Sequence, residues 1–357
     1  MSHDLLAGPR GRRVCLEIAR EADSRVREAL FDLAYNADVA AGAPVVRFGW
    51  TGDAVAFESG GPVHAAATLG DLASLIRELP QLEVSAAALD EALRCSVDAA
   101  RYWQEPDGAD IVAADLGVLS ALGGVAAQVS AHSAAAWWRR ARTADQWAIE
   151  FDPVGDASPF GLPLDAATRW SASTRAEEER AARERPEDPT AMFSGNWWSH
   201  PWGAPHTTGE RPDGLPAGIP FVEDGFGWTR AVAIPVAGAG RTLEIRSEAD
   251  WAHLCARYPL EVTASRRHDW YRTTGRAGRW LLPDWGRVAG EWDAVHLTTW
   301  CYLTAATREI VVDDEYSSVI GGWGPDETYW LTGLVRPGIA PRVIWTAEEP
   351  VGPWRRG

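Results

Sequence analysis

The sequence predicts an α+β protein. A mainly helical N-terminal half, residues 1–150, precedes a mixed α/β C-terminal half, residues 221–357, with a small, largely antiparallel sheet. A Trp-, Pro- and Gly-rich segment, residues 151–220, connects the two. Three observations carry this division. Apolar residues recur at three- to four-residue spacing through the first half. After Ile219, short apolar runs around glycine turns replace that spacing. Between the two, charge, proline, glycine and tryptophan break both patterns. At 357 residues the chain is long enough for two ordinary domains, and no repeat of fixed period is visible.

In chain order, Val14, Ile18, Ala22, Val26, Leu30 and Leu33 form the apolar stripe of one helix over residues 14–35. Val45 to Glu58 is short, apolar and β-leaning, punctuated by Gly49, Gly52 and Gly60. A helix from Leu69 stops near Pro80, and Ser85 caps the next one. Residues 111–130 are rich in alanine and valine and read as one buried helix; His132 to Arg142 continue helically. Trp147 to Phe151 alternates as a strand does. Ser173 to Pro189 is charged and reads as an exposed helix or a mobile segment. The Trp-rich run after Gly195 is expected to be a long ordered loop, because so much aromatic surface is rarely left in water. Further on, Thr229 to Val236 and Arg241 to Arg246 read as strands. Ser247 opens a helix through Trp251, Leu254 and Tyr258, with Asp250 where a capping box carries Glu or Gln. A short helix over 284–290, strands at Asp293 to Leu297 and Glu309 to Val312, and an apolar segment from Thr328 complete the chain.

Composition excludes more than it identifies. All 34 basic residues are arginine, so Schiff-base, Walker A, kinase-strand and Ser-Lys chemistry, which need a primary amine, have no residue to use. A net charge of −16 repels phosphate backbones and argues against general nucleic-acid binding. Cys15, Cys95, Cys255 and Cys301 are far apart and suit neither a zinc site nor a disulfide framework. The absence of a signal-like apolar run or a membrane-length stretch leads us to expect a cytoplasmic protein.

The segments EWDAVHLTTWCYL and GGWGPDETYWL, with their surroundings over residues 243–331, resemble a recurrent C-terminal pattern of uncharacterised actinobacterial proteins. The resemblance implies a source and a domain extent, and no reaction.

Candidate chemistry concentrates in Thr263 to Tyr302. Arg266, Arg267, Trp270, Tyr271 and Arg272 combine guanidinium forks with aromatic faces, in what reads as an arginine-rich loop suited to a small anionic ligand. Asp293 and His296 sit three apart, so a strand turns them to opposite sides; His296 is either a core histidine or one lining a pocket, with Thr298 near it. His268, His296 and Glu327 are the candidate catalytic groups, and Trp323 a candidate ligand contact. His200 and His206 lack an identifiable third metal ligand. Two functions fit. One is a binding or interaction protein with an Arg/Trp-rich surface for a protein partner or a small anion. The other is an NAD- or nucleotide-using enzyme, such as an ADP-ribosyltransferase or glycohydrolase, in which a carboxylate stabilises oxocarbenium charge.

Overall fold

The computed structural model describes residues 4–43, 46–51, 54–59, 67–153, 165–223, 225–350 and 352–357. Val45, Gly52 and Gly60, part of the β-leaning stretch, lie outside them. The chain forms two compact units, Met1–Ala99 with Pro106–Ala135 and Ala100–Glu105 with Ala136–Gly357. Among the described residues no helix is long and apolar enough to cross a membrane.

The first unit is helical apart from one antiparallel hairpin. Helix α1, Pro9–Ala22, begins with proline in its first turn, where the missing N–H is no loss. It buries Val14, Leu16 and Ile18. Asp23 then takes an extended backbone and accepts a hydrogen bond from the Arg25 N–H, which caps α2, Ser24–Ala40. The single stripe read over residues 14–35 is therefore two helices. Strands β1, Val46–Thr51, and β2, Ala54–Ser59, pair antiparallel. Helices α3, Leu69–Arg77, and α4, Ala86–Asp98, start at Thr68 and Ser85 as their capping hydroxyls dictate. The stretch read as one buried helix is three: α5, Gly108–Ala114, α6, Leu116–Ala121, and α7, Gly123–Ala131. The break lies at Asp115, whose carboxylate accepts from Gly117 and Val118 N–H groups and restarts the helix. Inside the unit, Arg10 of α1 is almost fully buried; it pairs with Asp110 of α5 and donates to the Ser96 carbonyl at 2.7 Å.

The second unit is built on a sheet of nine strands, a correction to the small sheet expected. Its strands are β3, Gln146–Phe151, β4, His206–Thr208, β5, Arg230–Gly238, β6, Thr242–Ile245, β9, Ala294–Leu297, β12, Glu327–Trp330, β13, Val335–Pro337, β14, Val343–Thr346, and β15, Arg355–Arg356. They run in the order β15-β14-β5-β3-β4-β12-β9-β6, with β13 also on β5. All pairs are antiparallel except β6 with β9. A second sheet joins β7, Pro259–Glu261, β8, Arg279–Pro283, β10, Ile310–Val311, and β11, Tyr316–Ser318. Helices α8, Ala166–Glu184, α9, Glu248–Arg257, α10, Thr263–Thr274, α11, Trp285–Val288, and α12, Thr299–Ala305, complete the unit. The charged stretch after Ser173 thus lies mostly in α8.

The arginine-rich stretch 263–274 is helix α10, not a loop. Its N-terminus carries no cap of its own. Glu178 of α8 supplies one, accepting from the N–H groups of Ala264 at 2.7 Å and Ser265 at 2.8 Å. A carboxylate from another element can do this only after the two helices pack, so the local sequence carried no sign of it.

Strand periodicity divides the large sheet into two faces. Directly opposed residues share a face, so Trp147, Thr208, Glu327 and Leu297 form one row, with His206, Tyr329 and Val295 beside it. Ala148, Thr207, Thr328, His296 and Trp330 face the other way. The second face is apolar core, in which Ala148, Val232, Ile234, Ala294 and Trp330 cluster.

Candidate functional site

The first face of the sheet carries a cavity of about 760 Å³. Strands β3, β4 and β12 form its floor. The Trp-rich run 197–204, the side chains of Phe221, Val222, Glu223, Phe226 and Trp228, and the turn Gly322–Pro325 form its walls.

The Trp-rich wall is ordered, as its aromatic content led us to expect, and named contacts hold it. Ser199 is fully buried; its Oγ accepts from the Gly321 N–H at 2.9 Å and the Trp323 Nε1–H at 3.1 Å, while its N–H donates to the Gly321 carbonyl. Trp270 Nε1 donates to the Trp197 carbonyl at 3.0 Å. Asp269, also buried, accepts from Ser194 Oγ, the Gly195 N–H and Arg272. Gly322 has φ +74°, and a Cβ there would lie 2.4 Å from Trp198, so both conformation and space require glycine. Trp198 and Trp202 stack at 4.7 Å, and Trp197 stacks on Tyr102 at 5.2 Å.

The polar groups of the cavity come from the floor and one wall. His206 Nδ1 and Glu327 Oε1 are 2.6 Å apart, and Glu327 Oε2 accepts from the Gly324 N–H at 2.7 Å. Burial pushes the Glu327 carboxyl up, but the hydrogen bond and charge of His206 outweigh it and hold it below its usual range. The same pairing raises His206 against the effect of burial. The His206 side chain keeps 56% of its surface accessible, so a ligand can reach it although protein surrounds it. His200 is buried, its Nδ1 has no partner, and burial pushes it down to about 4, so its ring is neutral at pH 7. Both imidazoles lie nearly parallel to the Tyr329 ring, at 4.8 Å and 5.5 Å. Glu223 lines the opposite wall and accepts from the hydroxyls of Tyr102 and Tyr302, each at 2.8 Å.

Behind the floor lies a second polar cluster. His296 is fully buried, with Nδ1 3.0 Å from Thr328 Oγ1 and Nε2 unpartnered, 3.8 Å from Asp326 Oδ1 and 4.0 Å from Glu244 Oε2. Asp326 has φ +61° and accepts from the Gly209 N–H at 2.8 Å, tying the end of β4 to the start of β12. Burial lifts Asp326 to about 7 and lowers His296 to about 3, so the His296 ring is uncharged at pH 7.

The sequence candidates do not converge. Glu327 and Trp323 line the cavity. His296 faces away from it, one residue out of phase with the floor. Arg266 and His268 are buried on α10, the former beside Glu177 at 3.3 Å and the latter against Phe193. Arg267 donates to the Pro186 carbonyl, and Arg272 to the carbonyls of Trp103 and Phe193. Trp270 is core, and Tyr271 is half-buried. Asp293 accepts from the Arg241 N–H and Thr332 Oγ1, and Thr298 caps α12. Among the described residues no three His, Cys, Asp or Glu side chains are placed to hold a metal ion. The cavity groups missed from sequence were Glu223, Tyr329 and the pairing of His206. The one available signal was the tryptophan density around His200 and His206.

The sequence matches no known family model and no curated protein, and no solved structure matches the chain.

Proposed function

We propose that this protein binds a small organic molecule in the aromatic cavity of its second unit. The observation that carries the reading is the open aromatic rim. Trp202 and Phe226 line the cavity yet leave 60% and 84% of their surfaces to solvent. Large apolar surface next to a concave, partly polar site is what a ligand would cover. The volume of about 760 Å³ falls within the range of small-molecule sites. This develops the binding-protein expectation and moves it from the Arg/Trp-rich helix to the Trp-rich loop.

The NAD or nucleotide reading finds less support. Among the described residues lining the cavity there is no arginine to meet a pyrophosphate, and Arg266, Arg267 and Arg272 are engaged elsewhere. A second reading, general acid–base catalysis on the bound molecule, draws on the short His206–Glu327 contact and the opposed shifts of the two groups.

A thermal-shift screen of small aromatic and amine compounds, followed by calorimetric titration of hits, tests the proposal. Hits should raise the melting temperature, and Trp202→Ala should weaken them. Hits indifferent to both Trp202→Ala and Glu327→Gln, or no hits at all, would overturn it. Nicotinamide release from NAD would restore the nucleotide reading.

A further inference from the structure

We infer that the cavity takes a hydroxyarene: an aromatic ligand whose hydroxyl bonds to Nε2 of His206 while its ring lies on the Trp-rich wall. The inference rests on the ligand-binding reading above and adds the polar group that the ligand carries.

The carboxylate beside it fixes what His206 can offer. Glu327 Oε2 accepts from the Gly324 N–H at 2.7 Å, and Oε1 faces His206 Nδ1 at 2.6 Å. The Glu327 carboxyl is held below its usual range, so at pH 7 it is ionised and only accepts. Nδ1 therefore carries a hydrogen, and Nε2 is the nitrogen left for a ligand. It has no hydrogen bond among the described contacts, on a side chain that lines the cavity and keeps 56% of its surface accessible. Nε2 accepts when the ring is neutral and donates when it is protonated. A hydroxyl both donates and accepts, so it satisfies Nε2 in either state, whereas an ether or an ammonium group satisfies only one. A carboxylate would bond only the protonated ring, across from the ionised Glu327.

His200 makes the same demand. It is 4% exposed, lines the same cavity and forms no hydrogen bond among the described contacts. Its ring is neutral at pH 7, and a hydroxyl suits it whichever nitrogen carries the hydrogen. The threonine and Glu223 side chains of the lining are instead engaged within the protein. Thr207 Oγ1 donates to Gln146, Thr208 Oγ1 accepts from the Gly218 N–H, and Glu223 accepts from two tyrosine hydroxyls.

The wall supplies the place for a ring. Trp198 and Trp202 stack at 4.7 Å, and Trp202 leaves 60% of its surface to solvent. Phe226 and Trp228 meet edge to face at 5.3 Å on the same cavity. An exposed indole face favours an aryl ring in offset or edge contact. An aryl hydroxyl is also more acidic than an alkyl one, and so the better donor to imidazole.

The test titrates the full chain calorimetrically with three probes of one shape: 2-naphthol, 2-methylnaphthalene and 2-naphthoate. Naphthol should bind about ten-fold tighter than methylnaphthalene, with naphthoate no tighter than the latter. His206→Phe should bring naphthol within about two-fold of methylnaphthalene and leave methylnaphthalene itself within about two-fold of wild type, which also shows that the variant is folded. Trp202→Ala should weaken both. If His206→Phe binds nothing, the imidazole nitrogen resonances of the wild-type protein decide: naphthol, and not methylnaphthalene, should move His206 Nε2, and no movement overturns the inference. Equal binding of naphthol and methylnaphthalene, tighter binding of naphthoate than of naphthol, or a naphthol advantage that survives His206→Phe overturns it and leaves the cavity reading standing. Binding of other screened compounds but none of these three does the same. If no probe and no screened compound binds, the ligand-binding reading falls with it.

Discussion

Lowering the pH from 7 to 5 removes stability at His296, by an amount that its surroundings set. The ring is fully buried on the core face of the large sheet, and its Nε2 has no partner. Burial first, then the guanidinium groups of Arg142, Arg140 and Arg246, push it down from 6.5 to about 3, against the backbone carbonyl of Arg140, which favours the protonated ring. The unfolded chain therefore takes up a proton below pH 6.5 that the native state refuses, and stability falls as the pH drops from there towards 3. The loss is ~2 kcal/mol at pH 5 and about 4–5 kcal/mol by pH 3. Against a typical total of about 5–15 kcal/mol, that is large. Asp326 works in the opposite sense: its carboxyl is raised to about 7, so its contribution is greatest below 3.8 and is lost as the pH rises through 7. It is present in wild type and in His296→Asn alike, so the difference between the two isolates the imidazole. The asparagine keeps a polar group near Thr328 and cannot titrate. Urea unfolding followed by tryptophan fluorescence is the suitable assay, because of the 20 tryptophans only Trp50 lies in the first unit. His296→Asn should destabilise the protein at pH 7, and that deficit should shrink by ~2 kcal/mol at pH 5. A deficit that stays constant between pH 5 and 7 would refute the reasoning, since it would mean that the native ring takes up its proton over the same range as the unfolded one.

Three other outcomes follow from the packing. Glu178→Ala removes the carboxylate that caps α10 and should lower stability by about 1–2 kcal/mol in the same assay. Asp110→Ala leaves the Arg10 guanidinium buried without its carboxylate and should cost about 3–5 kcal/mol, read by far-ultraviolet circular dichroism of the helical first unit. Gly322→Ala places a Cβ against Trp198 at a positive φ; it should cost about 1–3 kcal/mol and weaken aryl-probe binding, because the Trp-rich wall must shift.

Much of the local structure was legible because its causes are local. The hydroxyls of Ser85 and Ser247 start helices where expected, since a side-chain cap acts within three residues. The strand at Trp147–Phe151 follows its alternation. Where the reading differed, a neighbour decided. Asp23 and Asp115 divide apolar stripes because a single carboxylate can both end one helix and cap the next. Helix α10 reads poorly alone, with charged residues on several sides. It is stable in the fold because Glu178 caps it and because Ala264, Arg266, His268 and Trp270 are covered.

For the site, the sequence by itself determined the materials: a lysine-free chain, a concentration of tryptophan around two histidines, and Glu327 ahead of an aromatic strand. It also determined, through the two-residue period, that His296 and Asp293 face opposite ways. Only the tertiary structure decided which groups meet. His206 and Glu327 are 121 positions apart, Tyr102 and Glu223 likewise, and their contact depends on how β4 registers on β12 and on where the Trp-rich loop closes. Shifting β4 by one residue would turn His206 to the core face and leave Glu327 alone. The physical reason is that hydrogen bonding and charge pairing act over a few ångströms, while the sequence orders residues along a chain that the sheet folds back on itself.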